Sequence, residues 1–431
     1  MERTRARLLP SAGIASLALL AACGTSNNTT GGGGASSGGN ICPNGGTVTV
    51  ASDLPTSGGD ASIGGGTQNG VELAVTVATQ NKLLGGCTIN YIKKDDASIA
   101  KGKHDPQQGA QNVTALVNNP AVVGIVGPFN SSVAVAELPI TNRGGVAQIS
   151  PSNTDPGLTI VGSDPDIDTN SLRPTGKVTY FRVITNDRIQ GADDAQVASK
   201  EFKSTKAYII DDQETYGKDL ANYFEQFYKQ DGGTVLKHVS LPGDTKDFKA
   251  QLTEAKGLGA DLLYFGGTAS NGSGIIKTQM ADVGLNIKYL SGDGTVDPQY
   301  FKDAGSNGEG GYATSAADVT KASTGATFGT VYNSHYDAST AVVYSPYGYE
   351  AMTVLLNAVH DVLVDNGGKI PADPQAFRAS VIKKVAVTKH DGYLGHTEFD
   401  QNGDTLNHSF GLYQAKGGNW VQTEVIQATV S

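Results

Sequence analysis

AVVGIVGPFNSS (residues 121–132) and VAQISPSNTDP (146–156) are apolar, β-branched runs that break off at a Pro and continue in small hydroxyl and amide side chains. Strands buried on both faces of a parallel sheet read as such continuous apolar runs. Ligands of open parallel sheets gather beyond the carboxyl ends of the strands. Ser131 stands where a helix would begin after the first run, and Ser152 and Thr154 follow the second. A helix start offers free backbone N–H groups and a partial positive charge, which suits a carboxylate. A nucleophile, a phosphate cradle and a passive ligand cradle would all share this appearance, so the rest of the chain has to choose among them.

The same rhythm extends in both directions. Strands TVTVASD (47–53), TINYIKKDD (88–96) and AVVGIVG (121–127) precede predicted helices at about 66–82, 105–118 and 131–143, and VAQIS (146–150) follows. After a polar segment at 161–178, predicted as a surface loop, the pattern restarts with KAYIIDD (206–212), TVLKHVSL (234–241), DLLYFGG (261–267) and IKYLSGD (287–293). Helices are predicted from Tyr216, from Asp247 and over 270–283. Alternating strands and helices predict parallel sheets covered on both faces, and two runs predict two α/β lobes. Further on, helices fit 344–364 and 373–383. HTEFDQNGDTLNHSFGLYQAKGGNWVQTEVI then reads as antiparallel strands turned at Asn402-Gly403 and Gly417-Gly418.

The N-terminus carries Arg3, Arg5 and Arg7, an apolar stretch over 8–20, and Leu20-Ala21-Ala22-Cys23. The apolar stretch is too short to cross a bilayer comfortably, so residues 1–22 are predicted to be a lipoprotein signal peptide with Cys23 as the lipidation site. An ordinary signal peptide with a coincidental Cys is the alternative. Residues 24–46 are rich in Gly, Ser, Thr and Asn; with Cys23 they form a predicted flexible tether reaching roughly 25 Å. Removing residues 1–22 takes away three Arg and one Glu, moving the formal net charge from −10 to −12. Such an acidic body argues against nucleic acid as a partner. With Cys23 assigned to lipid, Cys42 and Cys87 remain as an even pair in an exported chain. Each precedes a strand, and a disulfide between them is expected over two free thiols.

At this point the chain resembles the periplasmic-binding-protein type I family, in particular the leucine/isoleucine/valine-binding proteins of branched-chain amino acid ABC transporters. The likeness runs from about residue 47 to the C-terminus, through YIKKDDAS (91–98), VGPFNSSVA (126–134), ISPSNTDPGLT (149–159), YFRVITNDRIQG (180–191), YIIDDQETYGKDLA (208–221), PGDTKDF (242–248), LLYFGGT (262–268), YLSGDG (289–294), EGGYATS (309–315), YGYEAM (347–352) and FDQNGD (399–404). It implies two Rossmann-like lobes joined by a three-stranded hinge, crossing near 183–187, 315–319 and 393–397. Lobe one would be 47–184 plus 317–394, and lobe two 186–315 plus 396–430. The resemblance also implies a ligand between the lobes. Ser131, Thr154 and the backbone of Ser152 would hold an α-carboxylate, Asp293 would face an ammonium, Tyr216 would contact the ligand, and Asp187 would line the cleft. Three positions depart from the family pattern: Ile63 where an aromatic is frequent, Thr268 where the branched-chain binders carry Tyr, and Asp rather than Glu at 293. Each site residue also has a plainer reading: Ser131 and Asp187 as helix caps, Thr154 as a turn residue, Tyr216 as packing, Asp293 as a solvated turn acid.

Enzyme readings find little support. No Gly-Lys pair is followed by Ser or Thr, no G-x-G-x-x-G opens a helix, and the seven His form no H-x-x-x-H. Asp400, Asn402 and Asp404 have calcium-loop spacing with the Gly misplaced. The expectation is therefore a non-enzymatic solute-binding component of an ABC transporter, without cofactor or metal, closing over an amino acid or similar small polar solute. It would be monomeric, would hand its ligand to permease subunits, and would sit lipid-anchored on the outer face of the plasma membrane or in the periplasm. A ligand-sensing subunit of a signalling receptor is the alternative. A hydrolase using Ser131 would need a His nearby.

Overall fold

The computed structural model describes residues 41–426. The predicted signal peptide, Cys23 and the tether up to residue 40 lie outside the described residues. The end of the predicted tether is packed: Ile41 and Cys42 are buried, and the Cys42 N–H donates to the Gly368 carbonyl at 2.7 Å.

Two sheets organise the chain. The first has five parallel strands in the order Thr88–Lys94, Thr47–Asp53, Val122–Val126, Ala147–Ser150, Tyr180–Arg182. The second has seven, in the order Asn419–Ile426, Phe410–Lys416, Tyr312–Ala316, Lys288–Ser291, Leu262–Gly266, Lys206–Asp211, Thr234–Ser240. Its last five are parallel and its first two are the predicted antiparallel pair, turned at Gly417-Gly418. Strand exposure follows position. The central Val122–Val126 and Leu262–Gly266 are buried throughout, whereas the edge strand Thr88–Lys94 is mostly half-exposed, as sheets covered by helices on both faces require.

The helices Ala61–Gln80 and Ser345–Asp365 pack side by side. The first starts at Ala61, earlier than the predicted position near 66, and so takes in Gly64 and Gly65. A Cβ on Gly64 would meet the Pro55 carbonyl oxygen at 1.9 Å, and one on Gly70 would meet that of Ser345 at 1.9 Å. Here glycine serves close backbone approach, not a turn. The predicted surface loop at 161–178 holds a short helix, Thr169–Leu172, and buries Asp164, Thr169 and Leu172.

Three links join the sheets. Residues 183–186 lead from the first sheet into the helix Asp187–Gln196, and residues 317–318 leave the second sheet. The third link runs through 399–409 rather than 393–397, because Lys389–Gly392 and Gly395–Glu398 form a separate hairpin before it. Within that link Asp400 Oδ1 accepts from the backbone of Asn402 and Asp404, which makes FDQNGD a turn.

Cys42 and Cys87 are disulfide-bonded, with Cα atoms 5.2 Å apart across a sequence separation of 45. The bond ties the starts of the neighbouring strands Thr47–Asp53 and Thr88–Lys94. A loop of this length stabilises by about 4 kcal/mol in the chain-entropy model. The Cys42→Ser, Cys87→Ser double variant is therefore expected to lose about 2–4 kcal/mol in urea unfolding; an unchanged midpoint would show the bond to be dispensable.

Candidate functional site

The carboxyl ends of the two sheets face each other, and contacts across the gap hold it shut. Lys103 Nζ reaches Glu214 Oε1 at 3.2 Å and Asn271 Oδ1 at 2.5 Å. The Tyr223 hydroxyl donates to the Ser163 carbonyl at 2.8 Å, and Lys218 pairs with Asp166.

On the first sheet's side, Gly127-Pro128, a cis peptide, carries the chain to Phe129 and Asn130, and a helix spans Ser131–Gly144. Asn130, not Ser131, is the N-cap, and its side chain makes no capping bond. Ser131 is the first helical residue; its buried hydroxyl accepts a long contact from the Asp155 N–H at 3.5 Å. Ser152 plays a different part from the expected one. Its backbone N–H already donates to Ser150 Oγ at 3.1 Å, and its hydroxyl donates to the Phe129 carbonyl at 2.9 Å. Asn153 Nδ2 donates to the same carbonyl at 2.7 Å, and Ser150 Oγ to that of Pro128 at 2.8 Å. These bonds lash the two loops together, so Ser152 is a fastening and has no backbone donor to spare.

On the second sheet's side, Asp293 opens a single 3-10 turn beyond strand Lys288–Ser291. Its Oδ2 accepts from the Tyr344 hydroxyl at 2.6 Å, while Oδ1 is buried without a hydrogen bond. Tyr344 caps the helix Ser345–Asp365, so this bond also spans the cleft, and its ring packs edge-on against Phe129 with centroids 5.1 Å apart. The Tyr216 hydroxyl accepts from the Gly294 N–H at 3.0 Å. A Cβ on Gly294 would touch both Tyr216, at 2.9 Å, and Thr268, at 3.0 Å. The Thr268 hydroxyl is shared with Ser270 Oγ at 2.9 Å. Asp187 begins the helix Asp187–Gln196, with Asn186 as its cap. The Thr154 hydroxyl lies beside the Asp187 carboxylate, neither of whose oxygens has a well-formed hydrogen bond. Ile63 is buried in the same apolar cluster as Phe129 and Tyr344. Thr154 thus lies beside Asp187, Tyr216 and Thr268 meet at Gly294 next to Asp293, and Ser131 touches the Thr154 loop through the Asp155 N–H.

The interior is acidic. Burial raises the Asp293 carboxyl above its ordinary range, partly offset by the hydroxyls of Tyr344 and Tyr216 and the Gln190 amide. Asp187 is pushed up by burial and then by Asp219, Asp155 and Asp293. A separate cavity of about 380 Å³ is walled by Phe301, Phe328, Tyr332, Tyr413 and Trp420. None of the predicted ligand residues lines it; its polar members are Asp318, Thr320 and Asn419.

Residues 47–419 match the family model described as periplasmic binding protein. The chain belongs to the periplasmic binding protein family. It is 28% identical over 383 residues to Leu/Ile/Val-binding protein homolog 3 of Brucella melitensis, covering 88% of this chain and 94% of that relative. The branched-chain amino acid transporter substrate-binding protein of Streptococcus pneumoniae, solved in complex with isoleucine, superposes with a TM-score of 0.75 at 23% identity, covering 89% of this chain and 100% of that one. An ABC transporter solute-binding protein of R. palustris, in complex with benzoate, superposes at 0.72 with 21% identity, covering 89% and 98%. Both likenesses confirm the type I two-lobed fold.

Sequence reasoning missed several contributors to this binding protein's interior. Tyr344 and Phe129 bridge to Asp293, and Gln190 approaches it. Tyr344 had one signal, its place at the very start of the helix predicted over 344–364.

Buried acids around the cleft set a pH dependence. Burial raises Asp212 and Asp297 to about 7 and Asp219 to about 8. Between about pH 4 and 7 the folded chain then holds more protons than the unfolded one, so stability falls as pH rises through this window. Urea unfolding is expected to show higher stability at pH 5 than at pH 8. Asp297 accepts from the Gln299 N–H as a helix cap, a role Asn fills equally well. Asp297→Asn is expected to add about 1–3 kcal/mol at pH 8 and to flatten the profile. Stability that climbs from pH 5 to pH 8 would contradict the assignment.

Proposed function

We propose that this chain is the solute-binding component of an ABC transporter and that it encloses an amino acid or similar small zwitterion between its two sheets. The observation that carries the reading is Asp293: a carboxylate from one sheet, held by Tyr344 from the other, whose second oxygen is buried near Tyr216 and Gln190 without a well-formed hydrogen bond. A ligand ammonium supplies a donor and the opposite charge, which a buried carboxylate needs. The helix start at Ser131 and the hydroxyl of Thr154 face it from the other lobe and suit the ligand's carboxylate. The names of the Leu/Ile/Val-binding relatives agree with an amino-acid ligand. No step of bond-making or breaking is required of these residues. Their work is to replace water around the ligand as the lobes close, which strengthens each polar contact and presents a closed surface to permease subunits.

We place in the pocket wall Thr268, where the branched-chain binders carry Tyr, and Ile63, where an aromatic is frequent in the family, so that the side-chain pocket of this protein is its own. We assign the lobes to 47–184 with 317–398 and to 186–315 with the strands Phe410–Lys416 and Asn419–Ile426, acting as one monomer. Cys23 lies outside the described residues and is proposed as the lipid attachment that keeps the protein at the outer face of the membrane. Among the described residues no helix is long and apolar enough to cross a membrane. Cys23→Ser is expected to move the protein from the membrane fraction to the medium or periplasm, and retention of an uncleaved precursor in the membrane would reject the lipidation.

Calorimetric titration, after a thermal-shift screen of amino acids, amides and small carboxylates, tests the site. Asp293→Asn keeps shape and removes charge, and is expected to weaken an amine-bearing ligand at least about tenfold, or about 1.4 kcal/mol. Ser131→Ala is expected to do less, since backbone donors remain. Affinity is expected to fall on acidification, because the raised Asp293 carboxyl takes up a proton and loses its pairing with the ammonium. Unchanged affinity in Asp293→Asn would remove Asp293 from the site, and a preferred ligand without an amine would undo the zwitterion reading.

A further inference from the structure

Behind the first sheet's face of the cleft, three carboxylates converge that take no part in the site above. Asp53 ends strand Thr47–Asp53, Asp96 follows strand Thr88–Lys94, and Glu137 points in from the helix Ser131–Gly144. Each is fully buried, and one oxygen from each lies within 4.8 Å of the others. Neutral amides hold two of them: Asn112 Nδ2 donates to Asp53 Oδ1 at 2.9 Å, and Gln148 Nε2 to Glu137 Oε2 at 2.5 Å. The amides are themselves anchored, Asn112 on the Asp95 carbonyl and Gln148 by the Thr141 hydroxyl. The remaining oxygens turn inward with no hydrogen bond: Asp53 Oδ2, Glu137 Oε1 and both oxygens of Asp96. Gly109 stands against Glu137, where a Cβ would meet Oε1 at 2.7 Å. The charge that acts most strongly on each of the three is another of them, Glu137 on Asp53, Asp53 on Asp96 and Asp96 on Glu137, with Asp60, Asp95 and Asp105 adding to the repulsion at Asp96.

We propose that Asp53, Asp96 and Glu137 form a buried binding site for one hard divalent cation, calcium foremost. Buried charge must be paired or must coordinate a metal, and Asp96 has neither amide nor base to pair with. An all-oxygen donor set with no His or Cys selects a hard cation over zinc or copper. Calcium binds oxygen at about 2.3–2.6 Å in flexible geometry, and three donor atoms within 4.8 Å of one another can reach one such ion. Magnesium, at about 2.0–2.1 Å, demands a stricter octahedron and keeps several waters, which suits a fully buried trio of carboxylates less well. A cation here would clamp the strand end that leads into the helix Ala61–Gln80, the turn after the edge strand, and the helix whose start faces the cleft. It would thus brace one lobe's half of the ligand site without touching the ligand, and the proposal stands whatever the cleft binds.

The test uses the mature full chain, stripped with EDTA and dialysed against calcium chloride, with bound metal counted directly. One calcium per chain is expected, with a Kd on the order of 10⁻⁴–10⁻³ M, the range of extracellular calcium modules. A rise in melting temperature of at least about 2 °C at 5 mM calcium, reversed by EDTA, is expected with it. Asp96→Asn and, separately, Glu137→Gln should each weaken binding at least about tenfold, while Asp293→Asn should leave it unchanged. Fewer than about 0.1 calcium per chain at 5 mM in the unmutated protein, with no thermal shift from calcium, magnesium or manganese, overturns the proposal and leaves three carboxyls sharing protons. Undiminished calcium binding by a folded Asp96→Asn variant overturns it as well, since the ion would then lie elsewhere. The metal count on the unmutated chain decides the matter even where a variant fails to fold.

Discussion

The guanidinium of Arg182 is fully buried, and much of the molecule's arrangement follows from how its donors are satisfied. Nε donates to Asp404 Oδ1 at 2.7 Å, Nη1 to the carbonyls of Asn153 and Asp155 at 3.1 and 2.7 Å, and Nη2 to the Thr159 hydroxyl at 2.5 Å. A charged group without water must find partners of this number and geometry, or its burial is prohibitive. Arg182 closes the last strand of the first sheet, directly before the first interlobe link, and Asp404 belongs to the third link. The loop 153–159 carries Thr154. One side chain therefore fixes the binding loop to both the start of one hinge strand and the body of another. The planar, forked donor set is what allows this; a lysine would offer a single point of attachment.

With the loops fixed from behind, closure becomes a matter of a few contacts at the front. Lys103 reaches Glu214 and Asn271, Tyr223 reaches the Ser163 carbonyl, and Tyr344 reaches Asp293. The rim contacts are partly exposed and contribute little each. The Tyr344–Asp293 bond is different, because it is buried and involves a carboxylate, and hydrogen bonds to charged groups are worth about 1.5–3 kcal/mol. A closed state held by weak rim contacts and one stronger central one can be tipped by a ligand that adds modest differential affinity. That is the energetic form a reversible capture protein needs.

Much of this was legible in the sequence. Apolar runs such as VVGIV and LLYFG marked the central strands, since only burial on both faces produces them, and the restart of the rhythm after residue 178 marked the second sheet. What escaped was fixed by contact rather than by pattern. The helix start at Ala61 was missed because a glycine's purpose, here the close approach of Gly64 to Pro55, lies in its neighbour. Ser131 read as a cap because a Ser before an apolar run usually is one, while Asn130 takes that position without using its side chain. Ser152 read as a donor because nothing local revealed that Ser150 and Phe129 already held it. Glu137 lies on a helix 84 positions from Asp53 and 41 from Asp96 in the chain, and only the folded sheet brings the three together.

The arrangement separates two tasks that a sequence mixes. The groups proposed for a zwitterion's charged ends come from loop and helix starts: Ser131, Thr154, Asp187 and Asp293. All are set by sheet topology, and each sits at a strand's carboxyl end or immediately after a link. The proposed wall comes from elsewhere, from Ile63 on a helix, Phe129 on a loop, Tyr344 before another helix, and Thr268 on the opposite lobe. Changing a wall residue alters volume and shape without disturbing the Arg182 fastening or the sheet ends. Changing an end group disturbs both charge and closure, because Asp293 holds Tyr344 as well as facing the interior. A fold built this way can exchange one small carboxylate-bearing ligand for another by substitutions in its wall, while the residues that make it close remain the same.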